Sequence, residues 1–218
     1  MEELNAAQRL AIWALPVLFA ITVHEVAHGW VARYFGDPTA MQLGRLTLNP
    51  IKHIDPVGTL LVPGLLLLMG GFLFGWAKPV PVNEDNLRNP KRDMALVALA
   101  GPMANLLMAL FWAVVMKLGI TLSAAGSTWL GHPMFLMGGA GISINLILML
   151  LNLLPLPPLD GSKVISGVIP TPWAAQLDRL EPYGFLILLA LLVTNVLGAI
   201  LGPPLQMLEA TLFALVGL

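Results

Sequence analysis

An apolar stretch near the start of the chain, LAIWALPVLFAITVHEVAHGWVARY (residues 10–34), decides the fold. It is about as long as an α-helix must be to cross the hydrocarbon core of a bilayer. Its interior nevertheless holds three ionisable side chains, His24, Glu25 and His28. Such side chains are costly inside a membrane helix and need partners there. The stretch therefore predicts a membrane helix that carries a buried polar site.

The composition of the whole chain also indicates a membrane protein. Of its 218 residues, 57% are hydrophobic and 11% are charged, whereas soluble domains carry about 25% charged residues. The net charge of −1 gives no indication of nucleic-acid binding. Because the chain has no cysteine, disulfides and thiolate metal ligands are excluded.

Further apolar stretches predict an all-α, polytopic helical bundle of about five or six membrane segments. They cover residues 57–74, 94–118, 134–154 and 185–201, with a tail at 205–218 that is short for a crossing. We expect a single integral-membrane domain over residues 1–218, with a core at about 10–165 and additional helices at about 183–218. The first residues lack a basic region and a cleavage signature, so we expect no removable signal peptide.

The motif His24-Glu25-Val26-Ala27-His28 points to metal chemistry. Histidines at positions i and i+4 lie one turn apart on the same face of a helix, so both imidazoles can bind one Zn²⁺ ion. Glu25 is offset around the helix and can act on a water molecule at the metal without being a ligand itself. The alternative is a buried polar cluster that only fixes the packing of the helices.

A zinc site needs a third protein ligand, and the sequence offers two candidates. Asp160 follows a run of prolines that ends the preceding helix, and Gly161 after it permits close backbone approach. His53 lies in a loop beside Lys52, where a histidine is more often only solvated. We favour Asp160 as the third ligand.

Two motifs that lie far apart in the chain resemble those of the site-2 protease family of intramembrane metalloproteases. They are His24-Glu25-x-x-His28 and Asn152-x-x-Pro155-x-Pro157-x-x-Asp160-Gly161. The segments AGPMAN (residues 100–105) and GWAKPVPVN (residues 75–83) are similar to the compact bacterial branch. The resemblance covers about residues 10–165 and implies zinc, three core helices and the cleavage of membrane-embedded helices. The PDZ and CBS modules of some relatives are not expected here.

The predicted ligands constrain the topology. His24, His28 and Asp160 can share one ion only if the first and fourth apolar segments run parallel. Since the third segment is one crossing, the region at 57–82 must enter and leave by one face, as a re-entrant hairpin with a short extended return. Nine of the eleven basic residues then lie on one side and two on the other, which places the zinc nearer the cytoplasmic face of a prokaryotic inner membrane.

The extended return suggests how substrate could be held. A helical substrate must be unwound before hydrolysis, and its freed backbone groups need new partners in lipid. Pro79 and Pro81 lack N–H donors, so we expect the opposite edge, formed by Lys78, Val80 and Val82, to face substrate or a partner strand. The alternative is that the prolines only keep a loop extended.

Two asparagines complete the candidate site. An amide donor near the metal can stabilise the oxyanion of a tetrahedral intermediate, and the family resemblance supports this catalytic role for Asn152. For Asn105 the alternatives are a contact with substrate and a hydrogen bond that only packs helices.

The sequence therefore predicts a zinc endopeptidase that acts on transmembrane proteins or peptides in the lipid bilayer. The competing hypotheses are a metal transporter and a zinc-binding membrane protein without hydrolase activity. A transporter would be expected to repeat its ligands with internal symmetry, which this chain does not do. Neither alternative gives Glu25 a function.

Overall fold

Helix α1 spans Ala6–Phe35 and carries the histidine motif of the first apolar stretch. Asn5 caps its start: the Asn5 side chain accepts from the N–H of Gln8, and the Gln8 side chain accepts from the N–H of Asn5. Gly36, in the left-handed region at φ 117°, ends the helix. The structure is a computed structural model and describes residues 5–61 and 78–217.

The described part of the chain is mostly helical and contains no strand. Beyond α1, the helices are α2 (Thr39–Gln42), α3 (Pro90–Ala124), α4 (Thr128–Asn152), α5 (Asp160–Val168), α6 (Thr171–Asp178), α7 (Glu181–Val193) and α8 (Val196–Val216). Short 3₁₀ turns occur at Pro50–His53 and Glu84–Asn86, and a π-helical turn occurs at Pro56–Leu61.

Helices α3 and α4 form an antiparallel pair with close backbone approach. A Cβ atom at Gly138 would lie 2.5 Å from the Cβ of Met116, and one at Gly141 would overlap the ring of Trp112. Small residues at such contacts let membrane helices pack tightly. The buried cluster beside this pair includes Trp112, Leu146 and, from α8, Leu212.

Side-chain contacts also fix the direction of α1. Along α1, His24 contacts Asn105 and His28 contacts Val97, so α1 runs antiparallel to α3. Since α3 runs antiparallel to α4, α1 and α4 are parallel. This agrees with the direction deduced from the predicted metal ligands.

Four helices of the described residues, α1, α3, α4 and α8, are long and apolar enough to cross a membrane. The all-α membrane bundle is thereby confirmed. Most of the region predicted as the re-entrant hairpin falls at residues 62–77, outside the described residues.

The boundaries predicted for the last membrane segments are wrong. In place of a segment at 185–201 and a short tail, the chain ends α7 at Val193 and begins a 21-residue α8 at Val196. Asn195 separates them in the left-handed region, at φ 58°, a conformation that asparagine tolerates better than most residues. Pro203 and Pro204 lie inside α8 and do not end it.

Candidate metal centre and cleft

Three side chains from two distant parts of the chain converge on one point. His24 Nε2 and His28 Nε2 lie 3.3 Å and 3.4 Å from Oδ2 of Asp160, and 3.0 Å from each other. Helix α1 supplies both histidines, one turn apart, and Asp160 is the first residue of α5. The structure thus brings together the three ligands predicted from the sequence.

Both imidazoles are oriented by hydrogen bonds behind the site. His24 Nδ1–H donates to Oδ1 of Asn105 over 2.6 Å, and His28 Nδ1–H donates to the carbonyl oxygen of Val97 over 2.8 Å. An imidazole that carries its proton on Nδ1 has a lone pair on Nε2. Each histidine therefore presents a lone pair to the point of convergence.

Asn105 is held by its own partners, which fix which end of its amide faces His24. Its Nδ2 donates to the carbonyl of Ala20 over 3.2 Å and to Oδ1 of Asn145 over 2.9 Å. The Nδ2 of Asn145 in turn donates to the carbonyl of Gly141 over 2.8 Å. Because a backbone carbonyl can only accept, this chain of bonds leaves Asn105 Oδ1 as the acceptor for His24.

Asn105 does not contact the space where substrate would bind. It is fully buried, and its side chain forms hydrogen bonds with Ala20, His24 and Asn145. The predicted contact of Asn105 with substrate is therefore wrong, because the side chain faces α1 and α4 and not the cleft. It instead supports a metal ligand from behind, as is usual for histidine ligands.

The break between α4 and α5 places Asp160 opposite the histidines. A Cβ atom at Gly161 would overlap the carbonyl oxygens of Leu153 and Leu154, so glycine lets the start of α5 pack against the end of α4. The Ser162 hydroxyl donates to the carbonyl of Leu159, which closes this turn.

The donor set fits a zinc ion. Oδ2 of Asp160 is buried and has no hydrogen-bond partner among the described residues. Two imidazole nitrogens and this carboxylate oxygen therefore converge within 3.4 Å of one another, an arrangement that a cation between them would stabilise. Two histidines and one carboxylate, with room for a water or substrate, form a zinc site of catalytic type. A Cβ atom at Gly101 would lie 2.5 Å from both rings, so glycine keeps that side open.

Glu25 faces the same cleft without joining the ligand group. Its Oε2 accepts from the N–H of Val80 over 2.7 Å. The cleft has a volume of about 330 Å³, and Glu25, Val82 and Asn152 line it together with the three ligands. The amide of Asn152 donates one hydrogen to the carbonyl of Leu148, one turn back in α4, over 2.9 Å.

The backbone edge predicted to pair with substrate is largely occupied. The N–H of Lys78 donates to the carbonyl of His53 over 2.9 Å, and the N–H of Val80 donates to Glu25. Neighbouring parts of the chain therefore use these two donors in this structure, and pairing of this edge with substrate or a partner strand stays a prediction. Val82 of this edge lines the cleft.

His53, the alternative ligand, lies elsewhere. Its ring is buried, and Nε2 donates to the carbonyl of Thr47 over 2.9 Å. The metal-binding group found in the described part of the chain consists of His24, His28 and Asp160.

Sequence reasoning missed two residues that support the site. These residues are Asn145 and Arg45, for which the sequence alone indicates no role in the site. No spacing pattern links either residue to the histidines, because their contacts depend on how loops and helices meet in three dimensions. For Gly101 and Asn105, the sequence indicates a role in the site only through the resemblance of the segment at 100–105 to the family.

Comparisons with known proteins agree with this geometry. The model of peptidase family M50 matches residues 12–130. The chain is 43% identical over 196 residues to YwhC of Bacillus subtilis, whose name describes a candidate zinc metalloprotease, covering 88% of this chain and 84% of that protein. It is 33% identical over 183 residues to the similarly named Rip2 of Mycolicibacterium smegmatis, covering 83% of this chain and 66% of Rip2. No solved structure matches the chain significantly.

Proposed function

The chain belongs to peptidase family M50 and is a multi-pass integral membrane zinc metallopeptidase, and from that premise we propose that it cleaves transmembrane helices inside the bilayer. The observation that carries the proposal is the place of the histidines within a membrane-spanning helix. With a rise of 1.5 Å per residue, His28 lies about 10 Å from the end of α1 at Phe35. A peptide bond cut at this depth belongs to a substrate that enters the membrane.

The cleft contains the groups that peptide hydrolysis requires. Zinc, when bound, acts as a Lewis acid that polarises the scissile carbonyl and lowers the pKa of the attacking water. The Glu25 carboxylate accepts a proton from that water as its oxygen adds to the carbonyl carbon. Glu25 then returns the proton to the leaving nitrogen as the C–N bond breaks.

Asn152 is our candidate for stabilising the oxyanion. Its side chain lines the cleft beside the ligands, and one of its two amide hydrogens is used by Leu148. The second hydrogen is the one that would donate to the negatively charged oxygen of the tetrahedral intermediate.

The substrate we propose is a transmembrane segment that is unwound at the cleavage point. Peptide carbonyls in an intact helix are engaged in hydrogen bonds, so the cleft must receive an extended stretch. Val82 lines the cleft, and we propose that it contacts this stretch. Lys78 and Val80 contribute instead through the internal bonds described above.

The charge distribution supports an orientation with the site nearer the cytoplasm. Several basic residues lie at the end of the bundle near the metal ligands, namely Arg33, Arg88, Lys91, Arg92 and Lys163, whereas Lys117 lies near the far end of α3. Cytoplasmic loops of membrane proteins carry the excess of Lys and Arg. We propose that this end faces the cytoplasm across a prokaryotic inner membrane.

Glu25→Gln tests the proposed function, because it removes the base and leaves the ligands. We expect the variant to retain zinc and to lose at least about 100-fold in kcat, as general-base catalysis contributes about 10²–10⁴-fold. The measurement is metal content together with cleavage of a model transmembrane peptide in detergent, for the wild type and the variant in parallel.

The alternatives predict a different result. A zinc transporter or a non-hydrolytic zinc protein has no need of a base, so its wild type would bind zinc and cut none of several transmembrane substrates. An active Glu25→Gln variant would exclude Glu25 as the base while leaving the peptidase in place.

A further inference from the structure

Residues 78–83, here called the strap, run along the cleft without regular secondary structure. Pro79 and Pro81 have no N–H, so Val80 carries the only backbone donor between them. That donor is bonded to Oε2 of Glu25 over 2.7 Å. The strap therefore touches the proposed base through one particular amide.

The strap is fixed on both sides of this contact. At one end the N–H of Lys78 donates to the carbonyl of His53 over 2.9 Å, and at the other the N–H of Asn83 donates to Oδ2 of Asp37 over 2.7 Å. The side chain of Val80 is buried, and a Cβ atom at Gly29 would lie 2.9 Å from it. The position of the Val80 amide is thus determined by the surrounding chain.

Arg45 holds the strap by hydrogen bonds to the residues immediately before Val80. Its Nη2 donates to the carbonyls of Lys78 and Pro79, over 2.9 Å and 3.3 Å. The residue is only 9% exposed, and its Nε has no partner among the described residues. Burying a guanidinium is costly, and the hydrogen bonds that offset this cost go to the two residues before Val80.

We propose that Arg45, acting through the strap and the Val80 amide, positions Glu25 for proton transfer. The proposal rests on the proposed function, because it concerns the base of that reaction. Within the described residues, one carboxylate oxygen of Glu25 accepts a hydrogen bond from Val80 and the other has no donor. A base fixed by one oxygen can present the other to the attacking water, and misplacement by about 1 Å can cost about 100-fold in rate.

The test is a series of variants assayed for kcat, KM and zinc content. Arg45→Ala should lower kcat by about 10–100-fold, with KM within about two-fold and zinc content unchanged. Arg45→Lys, which keeps the charge and one donor group, should lie between the wild type and Arg45→Ala. Arg179→Ala is the matched control, because this exposed arginine lies in the chain after α6, and its activity should equal that of the wild type.

Substitutions at Val80 separate the amide from the side chain. Val80→Pro removes the N–H and should lower kcat strongly, whereas Val80→Ala keeps the N–H and should lose far less. Amide exchange gives a second readout that does not depend on activity. The stretch from Lys78 to Val82 has three exchangeable amides, and that of Val80 should lose its protection in Arg45→Ala.

Distinct outcomes would overturn the inference. If Arg45→Ala leaves kcat unchanged and raises KM, the strap binds substrate and does not position Glu25. If Arg45→Ala raises kcat, the bond from the strap inhibits Glu25. A wild type that binds zinc but cuts no transmembrane substrate would overturn the proposed function and this inference with it.

Discussion

At the scale of single residues, the site depends on which ring nitrogen of His24 carries the proton. The bond from Nδ1–H to Asn105 settles this, and Asn105 in turn is oriented by Ala20 and Asn145. Such partners behind a metal ligand fix its tautomer and the direction of its ring. The affinity for zinc should therefore depend on a residue that does not touch the metal.

Asn105→Leu tests this dependence. Removing the acceptor leaves His24 without its partner, and we expect zinc affinity to fall by about 10–100-fold. Competition with a chelator at fixed pH measures it. Asn89→Leu, at an exposed asparagine whose side chain makes no capping hydrogen bond, is the control for changing an amide to an apolar group. Equal zinc affinity in the Asn105 variant and the wild type would show that Asn105 only packs the helices.

The sequence predicted residues whose role follows from spacing and missed those whose role follows from packing. His24 and His28 are recognisable because four residues make one helical turn, and Asp160 because a helix-breaking run precedes it. Asn105, in contrast, resembles any polar residue in an apolar helix until α1 is seen to lie against it. The same is true of Arg45.

At the scale of elements, Asp37 joins three parts of the chain that surround the site. Its buried carboxylate accepts from Thr39 at the start of α2, from the N–H of Asn83 at the end of the strap, and from the side chain of Asn86. Burial alone would raise the pKa of Asp37, but the hydrogen bonds from Asn86, Thr39 and Asn83 outweigh it and lower the pKa below the ordinary value of 3.8.

This lowered pKa predicts a pH dependence of stability. Because the folded protein favours the ionised form, Asp37 stabilises the fold well above pH 3.8, and this contribution is lost as the pH falls through the lower folded pKa. Asp37→Asn should therefore destabilise the protein at neutral pH by about 1–3 kcal/mol. The difference in thermal unfolding between the variant and the wild type, both in detergent, should narrow on acidification. A difference that stays constant with pH would contradict this assignment.

The elements themselves were predicted unevenly. Helices α1, α3 and α4 contain the apolar stretches at 10–34, 94–118 and most of 134–154, because an unbroken apolar run of membrane length has few other structures available. The division between α7 and α8 was missed because Asn195 is a weak signal for a break. Pro203 and Pro204 lie inside α8, since prolines are tolerated within membrane helices.

At the scale of the whole molecule, α3 runs antiparallel to both α1 and α4, and this determines at which end of the helical bundle the site lies. Arg88, Lys91 and Arg92 lie at or next to the end of α3 that is near the site. The connection from α3 to α4, at residues 125–127, lies at the opposite end. This arrangement requires an odd number of crossings between α1 and α4, as the ligands had indicated. The sequence could predict that the number of crossings between α1 and α4 is odd, but it could not predict the path of residues 62–77.

Labelling of single cysteines in intact bacteria tests the orientation, and the chain offers a clean background because it has no cysteine. We expect Ala125→Cys, in the exposed connection between α3 and α4, to react with a membrane-impermeant reagent from outside. Arg88→Cys, exposed at the site end, should react only after the cells are permeabilised. The reverse pattern would place the site on the outer face, and the unsubstituted protein should remain unlabelled in both conditions.

Because hydrogen bonds from α1 to α3 orient both histidines, the retention of zinc also depends on the axial register between these two helices. A slip of α3 by one residue moves its groups by about 1.5 Å along the axis and rotates them about it. Asn105 and Val97 would then leave His24 and His28 together, and neither imidazole would keep its orientation. A misassembled bundle would thus hold every ligand of the motif and still fail to retain zinc, so that the metal distinguishes correctly packed molecules from incorrectly packed ones.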